Sequence, residues 1–216
     1  MDQPQNKSIL LNQKEERANT WTHGLGILVT LLGIPVLVRS GLRTGDYSFL
    51  LGISIFCTSL LLVYIISTTY HYIERPKLKY TFQVIDHISI YFLIAGTHTP
   101  LLLYFLNDST GWFYLYILWG MVLVGTFYKL FFFGKYQILS VLFYLVMGWM
   151  AVFTVPPMLD QMSDQTLLWI IIGGFFYTAG TVFFLWEKLP FNHAIWHVFV
   201  LVGSVGHFIA LWTIGG

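Results

Sequence analysis

The ionisable residues of this 216-residue chain gather into short islands. Between the islands lie apolar stretches of about 20 residues, the length a helix needs to cross a bilayer. These stretches predict helices over 21–39, 48–70, 84–106, 112–132, 137–157, 166–186 and 194–214. The breaks carry local signals of their own: Gly41 with Gly45, Pro76, Asn107 with Asp108, Gly134, the Pro156-Pro157 pair and Pro190. The expected fold is all-α, a bundle of seven transmembrane helices, with residues 1–20 as a polar N-terminal segment and 21–216 as the membrane domain.

All the loops are short, so the distribution of Lys and Arg reports orientation. The N-terminus and the loops after helices two, four and six collect Lys7, Lys14, Arg17, Arg75, Lys77, Lys79, Lys129, Lys135 and Lys188, against only Arg39 and Arg43 on the other side. That bias predicts a cytoplasmic N-terminus and an extracytoplasmic C-terminus in a multi-pass protein of the cell membrane. Trp21, Tyr47, Trp112, Tyr136, Trp169 and Trp186 fall near predicted span ends, where amphipathic rings favour the headgroup layer. Gly96, Gly173, Gly174, Gly203 and Gly206 remove side-chain bulk inside spans, where small residues let helices approach closely. The apolar run after residue 20 ends without a small-residue cleavage pattern, so it reads as an uncleaved first helix.

Composition fits a membrane solvent: 56% of residues are hydrophobic and 10% charged, where soluble domains carry about 25% charged residues. A net charge of +1, with no basic run interleaved with aromatics, argues against a nucleic-acid partner. The single cysteine, Cys57, excludes an intramolecular disulfide and a thiolate cluster.

An ionisable side chain inside a span is a functional candidate by default, because hydrocarbon penalises it. His193 and His197 are four residues apart on helix seven, so their imidazoles share a face and can bind one ion together. Ser67 and His71 have the same spacing on helix two, and Asp86 with His87 is expected to open helix three. The predicted topology brings all of these to the cytoplasmic side. His71, His193 and His197 would give zinc three ligands and leave a fourth tetrahedral position for water, the pattern of catalytic zinc. Such a water has its pKa lowered to about 7. Asp86 would act on it as general base, and the Ser67 hydroxyl would donate to an oxyanion at an attacked carbonyl.

Plainer readings stand beside these. Buried histidines are commonly packed and hydrogen-bonded residues, Asp86 is of a type favoured as a helix N-cap, and Ser67 can return its hydroxyl to its own backbone. His207 lies ten residues past His197, about 15 Å along the axis at 1.5 Å per residue, too far to share its ligand shell. It reads as a packing or polar-network residue within the membrane, and His98 as an interhelical hydrogen-bonding residue. Glu16 and His23 would face the site if their segment is helical. His87 is turned about 100° from Asp86 and reads as interfacial.

At these residues the chain resembles the hemolysin III family, the bacterial branch of the progestin and adipoQ receptor superfamily. The resemblance rests on Glu16-Arg17-Ala18-Asn19 with Thr22-His23-Gly24, Ser67-Thr68-Thr69-Tyr70-His71, and Asp86-His87 with Ala95-Gly96-Thr97-His98-Thr99-Pro100. It continues in His193-Ala194-Ile195-Trp196-His197 and Gly206-His207-Phe208. It implies a seven-helix bundle with a cytoplasmic N-terminus and zinc on His71, His193 and His197. It also implies Asp86 as the residue that holds the zinc-bound water and Ser67 as the helix-two serine. Eukaryotic members are receptors with ceramidase-like activity, and their long soluble N-terminal domain is expected to be missing here, which argues against hormone sensing.

The leading expectation is a zinc-dependent hydrolase of a lipid amide or ester, or a hydrolase-like protein of membrane homeostasis, with membrane lipids as partners. A pore-forming hemolysin acting by cytolysis and a zinc-stabilised membrane sensor are the alternatives. Against the pore, no span shows a run of charged residues along one face.

Overall fold

The computed structural model describes residues 4–135 and 137–216, and side chains from residue 12 onward. The expectations for Tyr136 and for the Lys7 side chain fall outside these residues. The described chain is helical, with seven helices long and apolar enough to cross a membrane. They are α1 (Pro4–Thr44), α2 (Tyr47–Tyr72), α3 (Pro76–Phe105), α4 (Ser109–Phe132), α5 (Gln137–Thr154), α6 (Asp164–Leu185) and α7 (Asn192–Gly215). Helices suit this solvent because each satisfies its own backbone polar groups, which hydrocarbon cannot do.

Short polar residues start the spans. Asp46 Oδ1 accepts from the amides of Ser48 and Phe49 at 2.7 and 3.0 Å, Asp108 Oδ1 from Thr110 and Gly111 at 2.9 and 3.0 Å, and Ser163 Oγ from Thr166 at 3.1 Å. Each satisfies donors that a helix N-terminus leaves free.

Three elements differ from the hydropathy reading. Helix α1 runs unbroken from Pro4, so the polar segment before residue 21 is helix and stacks directly under the first span. Helix α3 begins at Pro76, whose fixed φ and missing amide suit a first helical position. The sequence from Lys77 to Ile85 is too polar for a hydropathy window yet continues the same helix, so Asp86 and His87 sit about 15 Å inside α3 at 1.5 Å per residue. Asp86 is therefore not its N-cap. Helix α5 is interrupted at Met150, and Pro156-Pro157 opens a separate 3-10 turn, Pro156–Gln161, in place of more α-helix.

Helix α3 is the central stave, and α1 and α2, α2 and α3, and α6 and α7 pack along much of their length, whereas α5 touches α4 and α6 only sparsely. Glycines set the closest approaches. A Cβ on Gly206 would stand 2.9 Å from the Gly173 Cα, and one on Gly173 would meet the His207 ring at 2.7 Å. Gly174, by contrast, faces open space and takes no part in this packing. Deeper in the bundle, Tyr64 of α2 donates to Ser204 Oγ of α7 at 2.8 Å, and the Tyr177 hydroxyl of α6 lies 2.9 Å from the same oxygen. Outward, Leu32, Leu123, Phe127, Phe131 and Phe175 are largely exposed, the apolar surface that lipid covers.

Candidate metal centre

Adjacent helices run antiparallel, so one end of the bundle gathers the start of α1, the end of α2, the start of α3 and the start of α7. There His71, His193 and His197 each offer a ring nitrogen, all within 4.8 Å of one another. Among the described residues this is the one group of three His, Cys, Asp or Glu side chains so arranged. The rings meet edge to face, His71 with His193 at 5.1 Å, His71 with His197 at 5.2 Å, and His193 with His197 at 4.6 Å between centroids.

The other nitrogen of two of these rings is already committed. His71 Nδ1 lies 2.8 Å from the carboxylate of Glu16, which only accepts when ionised, so Nδ1 carries the proton and Nε2 presents a lone pair. Thr22 donates its one hydroxyl proton to the Asn19 carbonyl at 2.9 Å, so at 3.0 Å from His197 Nδ1 it accepts, and the His197 tautomer is fixed the same way. The Nε2 atoms of His71, His193 and His197 are all buried without a hydrogen-bond partner. Native proteins rarely leave buried polar atoms unpaired, and three imidazoles that bring a ring nitrogen each within 4.8 Å of the others fit a metal ion. Imidazole donors suit zinc among several transition metals.

The supporting residues come from α1. Glu16 is bound on its far side by Lys79 Nζ at 3.1 Å, and that ammonium also donates to the Tyr70 carbonyl at 3.1 Å. This chain of contacts orients His71 as a carboxylate orients a metal-bound histidine. His23, fully inside, stacks on His197 with centroids 3.5 Å apart, and both its ring nitrogens lack partners. Glu15 accepts the Phe191 amide at 2.9 Å. Phe191 holds a left-handed backbone, φ 58°, immediately before α7 carries His193 inward. The contacts of Thr22 with His197 and of Glu15 with Phe191 were not foreseen from the sequence, and nothing in the spacing marks them until α1 is known to continue as helix through the site.

Ser67 and Asp86 sit deeper. Gly52 packs on Pro100 and Gly96 on Ser59, and this antiparallel register carries Asp86 on α3 to the level of Ser67 on α2. Asp86 is 3% exposed and Ser67 0%, and the Ser67 hydroxyl has no hydrogen-bond partner. Neither residue belongs to the three-histidine group. His87 turns from Asp86 towards Phe133, ring centroids 5.1 Å apart, and places Nδ1 2.8 Å from the Gln83 carbonyl. His98 places Nδ1 3.0 Å from the Ile94 carbonyl of its own helix.

A cavity of about 370 Å³ opens beside the histidines, and all seven spans contribute to its wall. It is lined by Glu16, His71, His87, Lys129 and His193 among others.

Fold and site together define a multi-pass membrane protein with a buried three-histidine centre at the N-terminal end of its bundle. The model of the family described as haemolysin-III related matches residues 11–208, and the chain belongs to that family. It is 39% identical to "Hemolysin-3" of Bacillus cereus over 198 residues, 92% of this chain and 90% of that one. It is 40% identical to the "Hemolysin-3 homolog" of Bacillus subtilis (strain 168), over 92% of this chain and 93% of the relative. The human "Monocyte to macrophage differentiation factor" is 31% identical over 208 residues, 92% of this chain and 83% of its own length, and links the family to the progestin and adipoQ receptor superfamily. No solved structure matches.

Proposed function

We propose that this protein is a zinc-dependent hydrolase of an amide or ester bond in a membrane lipid, working at the cytoplasmic side of the cell membrane. The observation that carries the reading is the convergence of His71, His193 and His197, with one ring nitrogen of each within 4.8 Å of the others and a buried, partnerless Nε2 on every ring. A zinc ion held there supplies a Lewis acid and a water made nucleophilic near neutral pH.

The remaining work falls to the chain. Glu16 and Thr22 keep His71 and His197 in the tautomer that faces the ion. With zinc bound, the Asp86 carboxylate would serve as the general base and the Ser67 hydroxyl would serve as the donor to the substrate carbonyl oxygen. Burial of both residues supports these roles, since a hydrogen bond or a charge acts more strongly where water is excluded. The sparse packing of α5 against α4 and α6 suits lateral entry of a lipid. The positive-inside distribution of Lys and Arg supports the cytoplasmic placement.

The test is metal content of detergent-purified protein by elemental analysis, wild type beside the His193→Ala, His197→Ala double variant. About one zinc per chain, lost in the variant, is the expected result and justifies screening lipid amides and esters for turnover. Wild-type protein without metal after zinc is supplied sinks the hydrolase.

The printed names of the two Bacillus relatives favour a second reading, lysis by a pore. Against it, the cavity beside the histidines does not run on through the bundle, whose middle is filled by buried side chains such as Phe56, Leu60, Tyr91 and Leu118. His197→Ala separates the two: a hydrolase loses turnover, whereas a pore still lyses erythrocytes.

A further inference from the structure

Lys129 is counted among the basic residues that orient the chain, yet it is not at the surface. It is 5% exposed, near the end of α4, and its side chain helps to line the cavity beside the histidines. Its ammonium nitrogen stands 5.4 Å from the Phe133 ring centre and 5.8 Å from that of Tyr144. No carboxylate pairs with it and no hydrogen bond engages it among the described residues; both ion pairs there belong to Glu16.

The acids of the same cavity are already engaged or turned to solvent. Glu16 is held by His71 and Lys79, Glu15 accepts the Phe191 amide, and Glu187 is exposed. A cation in a membrane bundle is expensive unless paired, and aromatic faces compensate only part of that cost. An anion entering the cavity would supply the partner that the described residues do not.

We propose that Lys129 anchors the anionic head group, a carboxylate or a phosphate monoester, of a single-chain amphiphile lodged in this cavity. The volume, about 370 Å³, lies in the range of small-ligand sites. Its wall is partly aromatic, with Tyr70, Phe133 and Phe184 beside the polar groups. The neighbouring outward face of α4 exposes Phe127 and Phe131 to lipid. The proposal rests on the hydrolase reading only in assigning that amphiphile to the reaction as substrate or as carboxylate product.

The experiment measures binding of oleate, oleyl alcohol and inorganic phosphate to the full chain in a neutral detergent. Wild type, Lys129→Met and Lys129→Arg are compared, and zinc content and thermal unfolding are read on the same samples. Wild type should bind oleate about tenfold or more tighter than oleyl alcohol, as a charge-assisted hydrogen bond implies. Lys129→Met should lose that preference and Lys129→Arg should keep most of it.

A second readout uses wild type alone: oleate, but not oleyl alcohol, should shield Lys129 from an amine-reactive label detected by mass spectrometry. This decides the matter should Lys129→Met fail to fold. Equal binding of acid and alcohol, a preference that survives in Lys129→Met, or an unshielded Lys129 overturns the proposal. So does inorganic phosphate binding as tightly as oleate, which would make the ligand a soluble anion. Zinc retained with no anion preference refutes only this inference, and an intact preference in protein that never holds zinc refutes only the hydrolase.

Discussion

The bundle buries two kinds of histidine, and the difference between them is instructive. His98 and His207 lie in the half of the membrane away from the N-terminus, each 8% exposed and each with one ring nitrogen unpartnered. His98 leans on its own backbone, and His207 fills the space that Gly173 leaves, with the Tyr177 ring 5.2 Å away. His71 and His197 are buried to a similar degree, but side chains of a third helix hold their Nδ1 atoms, and their free nitrogens converge with that of His193. Burial and an unpaired nitrogen do not mark a ligand by themselves. What separates the three-histidine group from the other two is convergence of its ring nitrogens.

The sharpest way to break this contrast is substitution on both sides of it. His197→Ala is expected to abolish zinc retention, whereas His98→Ala and His207→Ala should leave the metal content of purified protein at the wild-type level. Elemental analysis of the three variants checks this, and metal loss from His207→Ala would show that the two groups are not separate.

A smaller effect comes from the supports. Glu16→Gln keeps the shape and the possibility of a hydrogen bond but removes the charge on His71, and should weaken zinc binding about 10- to 100-fold in competition with a chelator. Thr22→Val, which removes only a neutral acceptor, should cost less. Equal losses from the two would mean that burial, not the charge of Glu16, sets the affinity.

The smallest expected change concerns packing around the lone histidine. Gly206→Ala places a methyl 2.9 Å from the Gly173 Cα, where backbone and not a flexible side chain must yield. Overpacking of this kind costs about 1–3 kcal/mol, read as a lowered unfolding midpoint at constant zinc content. Gly174→Ala, pointing into open space, should leave that midpoint unchanged.

Much of the bundle was legible because a membrane forces charges into loops, and seven apolar stretches are visible between them. The polar first turns of α3 and the N-terminal extension of α1 were not, since hydropathy sees lipid contact and these segments stand beyond it or face one another. In the site, the i, i+4 pair His193 and His197 declares a shared face, and topology alone sets His71 near it. The engagement of Thr22 and the depth of Lys129 depend on which way each helix is turned, which a nearly all-apolar helix does not encode. The basic residue that helps to announce topology is also the one the fold pulls inside.

Phe191 is the one non-glycine residue with positive φ among those described. A left-handed conformation is costly for a bulky aromatic, on the order of 1 kcal/mol or more, and here it fixes the rotational phase of the final helix. A helix entered one residue early or late is turned by about 100°, which would swing both of its histidines off the common centre at once. That single kink works as the index pin of a dial: it adds no ligand, yet it decides which face of α7 looks inward.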